Sequence, residues 1–299
     1  MTQQIPISSD ARADDPVADA ARDDATHEIA PDLAYRRLAM VNVVFAGHPG
    51  AGDRGWVLID AGIPGTKALI TGAAEARFGP GARPAAIVMT HGHFDHVGAL
   101  EDLAEEWDAP VYAHDLERPY LDGSAAYPPG DATVVGGAMA LLAPLYPTKP
   151  VDVSRRLRAL PADGGVPPIP GWRWIHTPGH SPGHVSFWRE ADGSLIVGDA
   201  FITVAGESAY ATAVQAPEIH GPPKYYTVDW DAARGSVERL AALQPERVVT
   251  GHGRALHGPE MRRGLDALAR DFDSVAVPER GRYVEAPARA EDESAYREP

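Results

Sequence analysis

Thr90-His91-Gly92-His93-Phe94-Asp95-His96 is the stretch on which the reading of this chain turns. Three imidazoles and one carboxylate fall within six residues, in the pattern H-x-H-x-D-H. Neutral imidazole and carboxylate are ligands for zinc and similar cations, and a merely His-rich polar loop leaves such a density unexplained. The apolar run 85–89 before it reads as a buried strand. Val97, Leu100, Leu103 and Trp107 after it have helical spacing. The motif therefore sits where a strand ends and a helix begins. His91 and His93 are two apart in extended chain, so their rings can share a side. Asp95 and His96 are adjacent and diverge, so they can serve a neighbouring position. That geometry points to two metals rather than one.

Working outward, 299 residues allow one large domain or two small ones, and 44% apolar residues supply a core. The formal net charge of −15 argues against nucleic acid or an anionic membrane as a main partner, since both call for a basic face. The chain has no Cys, which excludes disulfides, thiolate ligands and a Cys nucleophile. No apolar run approaches the ~20 residues of a membrane span. The first 24 residues lack the basic start and apolar stretch of a secretory signal. These features read as a soluble, cytoplasmic protein.

Strand-like segments at 38–45 and 56–59 flank a Gly-rich turn at 47–55. Thr66 is placed to cap a helix running to about Arg77. Another short strand is expected at 111–113. Strands then alternate with helices, which predicts an α/β architecture. Residues 122–150 are rich in Pro and Gly and read as a lid or insertion loop, with Met139, Leu141, Leu142 and Leu145 packing over something. In the second half, 172–176, 185–189 and 195–197 read as strands, and 199–226 as irregular. Asp229 is a cap for a helix carrying Trp230, Ala233, Val237 and Leu240. A final strand is expected at 247–250, and Met261, Leu265, Leu268 and Phe272 mark a last helix. The polar residues 1–32 read as an acidic, mobile N-terminal extension. Residues 33–277 form the folded domain, and 278–299 a C-terminal tail.

Three further candidate ligands each follow a strand. His180 lies in a Pro- and Gly-rich loop, His176-Thr177-Pro178-Gly179-His180-Ser181-Pro182-Gly183-His184, which holds a ring at a defined place. Asp199 ends the run Ile196-Val197-Gly198-Asp199. His252 is flanked by Gly251 and Gly253, which allow close approach. Singly, each is a common cap or turn residue. Together with the first cluster, and in this order, they form a pattern.

That pattern, with Asp60 in Leu58-Ile59-Asp60-Ala61-Gly62, resembles the metallo-β-lactamase-fold hydrolases, in particular their glyoxalase II-like and lactonase-like branch. The resemblance covers roughly residues 35–277. It implies an αββα four-layer sandwich with metals at one edge between two sheets. It implies His91, His93 and His180 on one metal, and Asp95, His96 and His252 on the other, with Asp199 bridging. Asp60 would orient a ligand, and His184 would support the site from behind. His176 and His114 read as satisfied strand-end histidines.

Departures from the family narrow the choice. One class of lactamases places a Cys on the second metal, and this chain has none. Diiron flavoproteins of the fold carry Glu where His93 stands. Many acyl-homoserine lactonases have a Tyr at the position of Ile202. Neither the length nor the charge leaves room for an inserted RNA-binding domain, and a glutathione-binding tail is not evident.

The reading is then a dinuclear zinc hydrolase, with Fe or Mn as alternative metals. A metal-bridging hydroxide would cleave an ester, thioester, lactone or related acyl bond. Asp95 would be both ligand and proton carrier. No G-x-S-x-G element is found, so direct hydrolysis is expected. Lys224, Tyr225 and Tyr226 are expected beside the metals as substrate contacts, Lys224 toward an anionic group. The partner is a small acyl substrate, and homodimerisation is left open. The rivals are a mononuclear iron persulfide dioxygenase of the same fold, a β-lactam-hydrolysing enzyme, and a non-catalytic binding module. The last would be expected to have lost ligands, and none is missing.

Overall fold

The computed structural model describes residues 5–14, 24–134, 146–167, 169–205 and 217–297. Fourteen strands occur among them: β1 Ile5–Pro6, β2 His27–Ala30, β3 Leu33–Leu38, β4 Val41–Ala46, β5 Val57–Ile59, β6 Ala86–Val88, β7 Val111–Ala113, β8 Leu157–Ala159, β9 Trp172–His176, β10 Val185–Arg189, β11 Ser194–Gly198, β12 Glu218–Ile219, β13 Arg247–Thr250 and β14 Leu256–His257. A seven-stranded sheet has the order β2-β3-β4-β5-β6-β7-β8, antiparallel up to β5 and parallel from there. A five-stranded sheet has the order β14-β13-β11-β10-β9, with β11 and β13 parallel. The small pair β1-β12 stands apart.

Side-chain alternation explains the layers. Val57 and Ile59 of β5 and Val88 of β6 point between the sheets, where they meet Val185, Phe187, Ile196 and Val249 of the second sheet. Leu58 and Ile87 point the other way, onto Ile70 and Phe78 of the helix Lys67–Phe78 and Leu100 and Leu103 of the helix Leu100–Glu106. Leu195, Val197 and Val248 likewise face Val237 and Leu240 of the helix Trp230–Ala242 and Met261 and Leu265 of the helix Gly258–Arg270. Strands buried on both faces have to be apolar at every position, as β5 and β6 are. The result is four layers, helix–sheet–sheet–helix, the sandwich expected from the sequence. Each large side chain so buried contributes on the order of 1.5–3 kcal/mol relative to exposure.

Several local expectations need correction. The strand at 38–45 is in fact a hairpin of β3 and β4, closed at Ala39 and Met40 with Leu38 opposite Val41. Ala39 adopts φ +59° there, so the turn carries no Gly or Asn to announce it. Thr66 precedes the first helix but makes no capping bond: its backbone is already in the helical region (φ −93°, ψ 0°), and its hydroxyl donates back to Ile63 O at 2.6 Å. Asp229 does cap its helix, accepting from Ala232 N at 3.0 Å. β14 follows the strand expected to be last.

The terminal segments are packed rather than loose where described. Ile7 and Ala11 are buried against the second-half helices, and Arg254 pairs with Asp14 at 2.9 Å. Near the C-terminus, Tyr283 donates to Pro129 O at 2.7 Å and Tyr296 to Leu116 O at 2.9 Å. The Tyr120 hydroxyl donates to Ala295 O at 2.8 Å. A few apolar anchors in polar sequence suffice for this, and composition averages them away. Met139, Leu141, Leu142 and Leu145 of the expected lid lie outside the described residues.

Both sheets deliver their chemistry at one edge. β5, β6, β11 and β13 end at or just before Asp60, His91, Asp199 and His252. The turns 47–56 and 190–193 lie at the other end, and a Cβ on Gly50 or Gly52 would meet nothing within 4 Å. Gly98, by contrast, lies against the turn that follows β5, where a Cβ would come within 2.2 Å of Pro64 N. Gly98→Ala should therefore lower stability by about 1–3 kcal/mol, the range for overpacking. The urea midpoint of the variant against the parent measures it.

Candidate metal centre

Asp60 directly follows β5 with φ +62°, and its backbone N–H donates to Val88 O at 3.0 Å. Its carboxylate thereby reaches the loop after β6. It accepts from Thr90 N, from Thr90 Oγ1 and from His96 Nδ1, each at 2.8 Å. The Thr90 hydroxyl hydrogen is thus used on Asp60, so at 3.0 Å the hydroxyl oxygen accepts from His91 Nδ1–H. Inferred this way, both rings commit Nδ1–H outward and turn Nε2 inward. Both Nε2 atoms are buried without a hydrogen-bond partner among the described residues, as is Asp199 Oδ1.

The same logic orients the other rings. His252 Nδ1 donates to Met40 O at 2.8 Å. Thr227 Oγ1 gives its hydrogen to Pro223 O, so at 3.4 Å it accepts from His180 Nδ1. His93 Nδ1 and His180 Nε2 then face each other at 2.9 Å. His184 also supports the site, because its Nε2 accepts from Asp199 N at 2.8 Å. Its Nδ1 must then donate to Thr177 Oγ1 at 2.8 Å, which passes a hydrogen to Ser186 Oγ and on to Val197 O.

Three sets of donor atoms converge, each with all atoms within 4.8 Å: His91–His93–His180, His91–His96–Asp199 and Asp95–His96–His252. All seven expected residues are thus brought together. Asp199 Oδ2 lies 3.4 Å from His180 Nε2 and 3.1 Å from His252 Nε2, and Oδ1 lies 3.6 Å from His96 Nε2. Asp95 Oδ2 is 3.3 Å from His252 Nε2. Ligands on one tetrahedral cation, with bonds of about 2.0–2.2 Å, lie roughly 3.3–3.6 Å apart. The separations of 3.1–3.6 Å around Asp199 and His252 suit such cations, and the inward nitrogens and carboxylate oxygens have the chemistry to hold them.

Electrostatics agree. Burial pushes His91 and His180 well below the ordinary histidine value, helped by neighbouring imidazoles, and burial holds His93 down at about 4. For His96 and His252 burial acts in the same sense but is outweighed. Asp199, Asp60 and Asp95 keep His96 well above the ordinary value, and Asp199 and Asp95 raise His252 to about 10. Asp199 is held well below the usual carboxylate range: burial would raise it, but His252 and His96 prevail. Without metal, this half of the site gathers protons, and a cation would take the same place.

An aromatic wall stands beside the donors. The Tyr226 ring centroid is 5.0 Å from that of His93, and Phe94 stacks on Tyr146 at 5.3 Å. Tyr226 is buried, and its hydroxyl has no hydrogen-bond partner among the described residues. Tyr225 packs 5.2 Å from Tyr226. Lys224, expected from the sequence as a contact for an anionic group, is buried and already engaged. His114 and His176 stack at 4.4 Å away from the donors and are satisfied by Leu116 N and Pro182 O. Sequence reasoning missed Thr90, Thr177 and Glu117. Glu117 reads as a surface carboxylate in Asp115-Leu116-Glu117, yet it is 1% exposed.

Six histidines are held neutral, His91, His93, His114, His176, His180 and His184, against two held charged. Unfolded histidines take up protons near pH 6.5, whereas His93 and His114 hold out to about 4. Their contribution to stability is complete above pH 6.5 and is lost as pH falls toward 4. The metal-free protein should therefore show a lower urea midpoint at pH 5 than at pH 7.5.

A sequence profile described as the metallo-beta-lactamase superfamily matches residues 36–252. The probable metallo-hydrolase YflN of Bacillus subtilis (strain 168) is 42% identical over 256 residues, 86% of this chain and 97% of that protein. The probable metallo-hydrolase YybB of the same organism is 29% identical over 189 residues, 63% of this chain and 73% of its own length. Among solved structures, a beta-lactamase domain protein from Burkholderia ambifaria gives a TM-score of 0.59 at 24% identity, covering 87% of this chain and 77% of that one. The Rm3 metallo-beta-lactamase gives 0.57 at 22% identity, covering 87% and 97%. At these identities the two structures speak for the fold alone. By the extent of the profile and the identity to YflN, the chain belongs to the metallo-beta-lactamase superfamily.

Proposed function

We propose that the chain is a metal-dependent hydrolase that holds two divalent cations, zinc first among them, and cleaves an ester, thioester, lactone or related acyl bond. The observation that carries this reading is the convergence of five imidazoles and two carboxylates in three overlapping donor sets. The name of its relative, probable metallo-hydrolase, supports the reaction class. His91, His93 and His180 would hold one cation, and Asp95, His96 and His252 the other. The Asp199 carboxylate lies within reach of both sets. When bound, such a pair supplies Lewis acidity toward an acyl oxygen and water of lowered pKa.

The chain's own residues do the rest. Asp60 and Thr90 fix the rings of His91 and His96, and His184 fixes Asp199. Asp95, close to His252 Nε2, would take up and release the proton that hydrolysis moves. The Tyr226 hydroxyl, buried and without a hydrogen-bond partner among the described residues, would donate to the acyl oxygen. Phe94, Tyr146 and Tyr226 would exclude water and suit an apolar acyl group. A net charge of −15 favours a small molecule over nucleic acid. Among the described residues, no helix is long and apolar enough to cross a membrane.

Metal analysis of the purified protein tests the reading. About two zinc per chain are expected, with hydrolysis of an ester, thioester and lactone panel abolished by chelation and restored by zinc. One iron per chain together with oxidation of a persulfide would replace hydrolysis by the oxygenase reading. His91→Ala should lose metal and reduce turnover by orders of magnitude. Tyr226→Phe should keep its metal and lower kcat/KM about tenfold, the worth of one hydrogen bond at ~1.4 kcal/mol.

A further inference from the structure

Glu117 is a buried carboxylate that the proposed reaction does not use. It ends the short 3-10 turn Asp115–Glu117 that follows β7. Its Oε2 accepts from Gly92 N at 2.7 Å. Its Oε1 accepts from Ser181 Oγ and from Gly183 N, both at 2.7 Å. Gly92 lies between His91 and His93, and Ser181 follows His180. The first loop leaves the seven-stranded sheet after β6, and the second joins β9 to β10 of the five-stranded sheet. One side chain therefore clasps two donor loops that belong to different sheets.

The glycines point to the same device. A Cβ on Gly92 would come within 3.2 Å of Glu117 Oε2 and 2.8 Å of Tyr120 Cβ. A Cβ on Gly183 would come within 2.7 Å of Glu117 N. Both positions lack a side chain where the Glu117 segment has to approach. His93 Nδ1 and His180 Nε2 face each other at 2.9 Å, where a hydrogen on His93 bridges them; a cation held by both atoms displaces that hydrogen and leaves the clasp to hold the loops together.

We infer that Glu117 is a positioning residue that holds the His93 loop against the His180 loop, so that the His91–His93–His180 set is formed before a cation arrives. The inference rests on the reading that this set binds a cation. In Glu117→Gln the amide nitrogen cannot accept a hydrogen bond, so at least one of the three donors faces another N–H. In Ser181→Ala only one of the three bonds is lost and the carboxylate remains.

The test titrates the metal-free parent, Glu117→Gln, Ser181→Ala and His93→Ala with cobalt(II), following the visible spectrum and competition with a chromophoric chelator. The parent should take up two equivalents. Glu117→Gln should bind one of them roughly 10–100-fold more weakly, the usual effect of removing a group that orients ligands. The step affected should be the one that His93→Ala abolishes, with the other step unchanged. Ser181→Ala should weaken the same step to a smaller degree, and it decides the matter if Glu117→Gln does not fold. Parent-like affinity at both steps in the folded variants, or equal weakening of both, would overturn the role of Glu117. A parent that binds no cobalt or zinc would instead remove the metal reading on which the inference rests.

Discussion

The structure depends on one electrostatic constraint: nitrogen lone pairs and carboxylate oxygens crowd together where water does not reach. His91, His96 and His180 are each 2% exposed or less, and Asp199 is 2% exposed. Such a group is costly unless something positive sits among the donors. The surrounding framework engages the outward-facing ring nitrogens of His91, His96, His180 and His252 and turns the others inward. Asp60, Met40 O and Thr227 do this for His96, His252 and His180. Pairs of protons on the Asp95–His96–His252 side meet the need in the metal-free state, which explains why His252 sits at about 10 while His93 lies at about 4.

The four layers serve that constraint. Parallel strands in the middle of each sheet have both faces covered, so their ends are fixed by packing on two sides. Donors mounted just past those ends inherit that rigidity, which is the usual arrangement for an exact constellation. The β11–β13 register shifts between Ile196 and Gly198, and Gly198 takes φ +63°. That irregularity brings Asp199 beside His252, where a regular ladder would have continued. A Cβ on Gly251 would fall 2.0 Å from Asp199 Oδ1, so this strand end tolerates nothing larger.

Much of this was legible in the sequence because the donors announce themselves by type and spacing. His91 through His96 need only the alternation of an extended chain followed by a helical turn. His180, Asp199 and His252 are flagged by apolar runs that stop at Gly or Pro. The buried strands were legible for the same reason: two covered faces leave no polar position to confuse the pattern. What escaped were residues whose role comes from the approach of distant segments. Glu117 looks solvated in its local context and is buried only because two loops from separate sheets close on it. Thr90 and Thr177 are ordinary hydroxyls until a ring nitrogen lies within 3 Å. The terminal segments carry too few apolar residues to raise the local average, yet Ile7, Tyr283 and Ala295 dock them. Ala39 closes a hairpin with no turn residue to mark it.

The two ends of the strands are thus unequal, and the quiet end has its own use. The turn from His48 to Gly55 and that from Glu190 to Gly193 lie roughly 10–15 Å from the donors, the length of three to five extended residues. Gly50 and Gly52 face open space there. Such a site can carry a fluorophore, a peptide epitope or a surface tether while the opposite rim keeps its geometry. One margin of the molecule can thus be lengthened or recoloured without renegotiating the chemistry at the other.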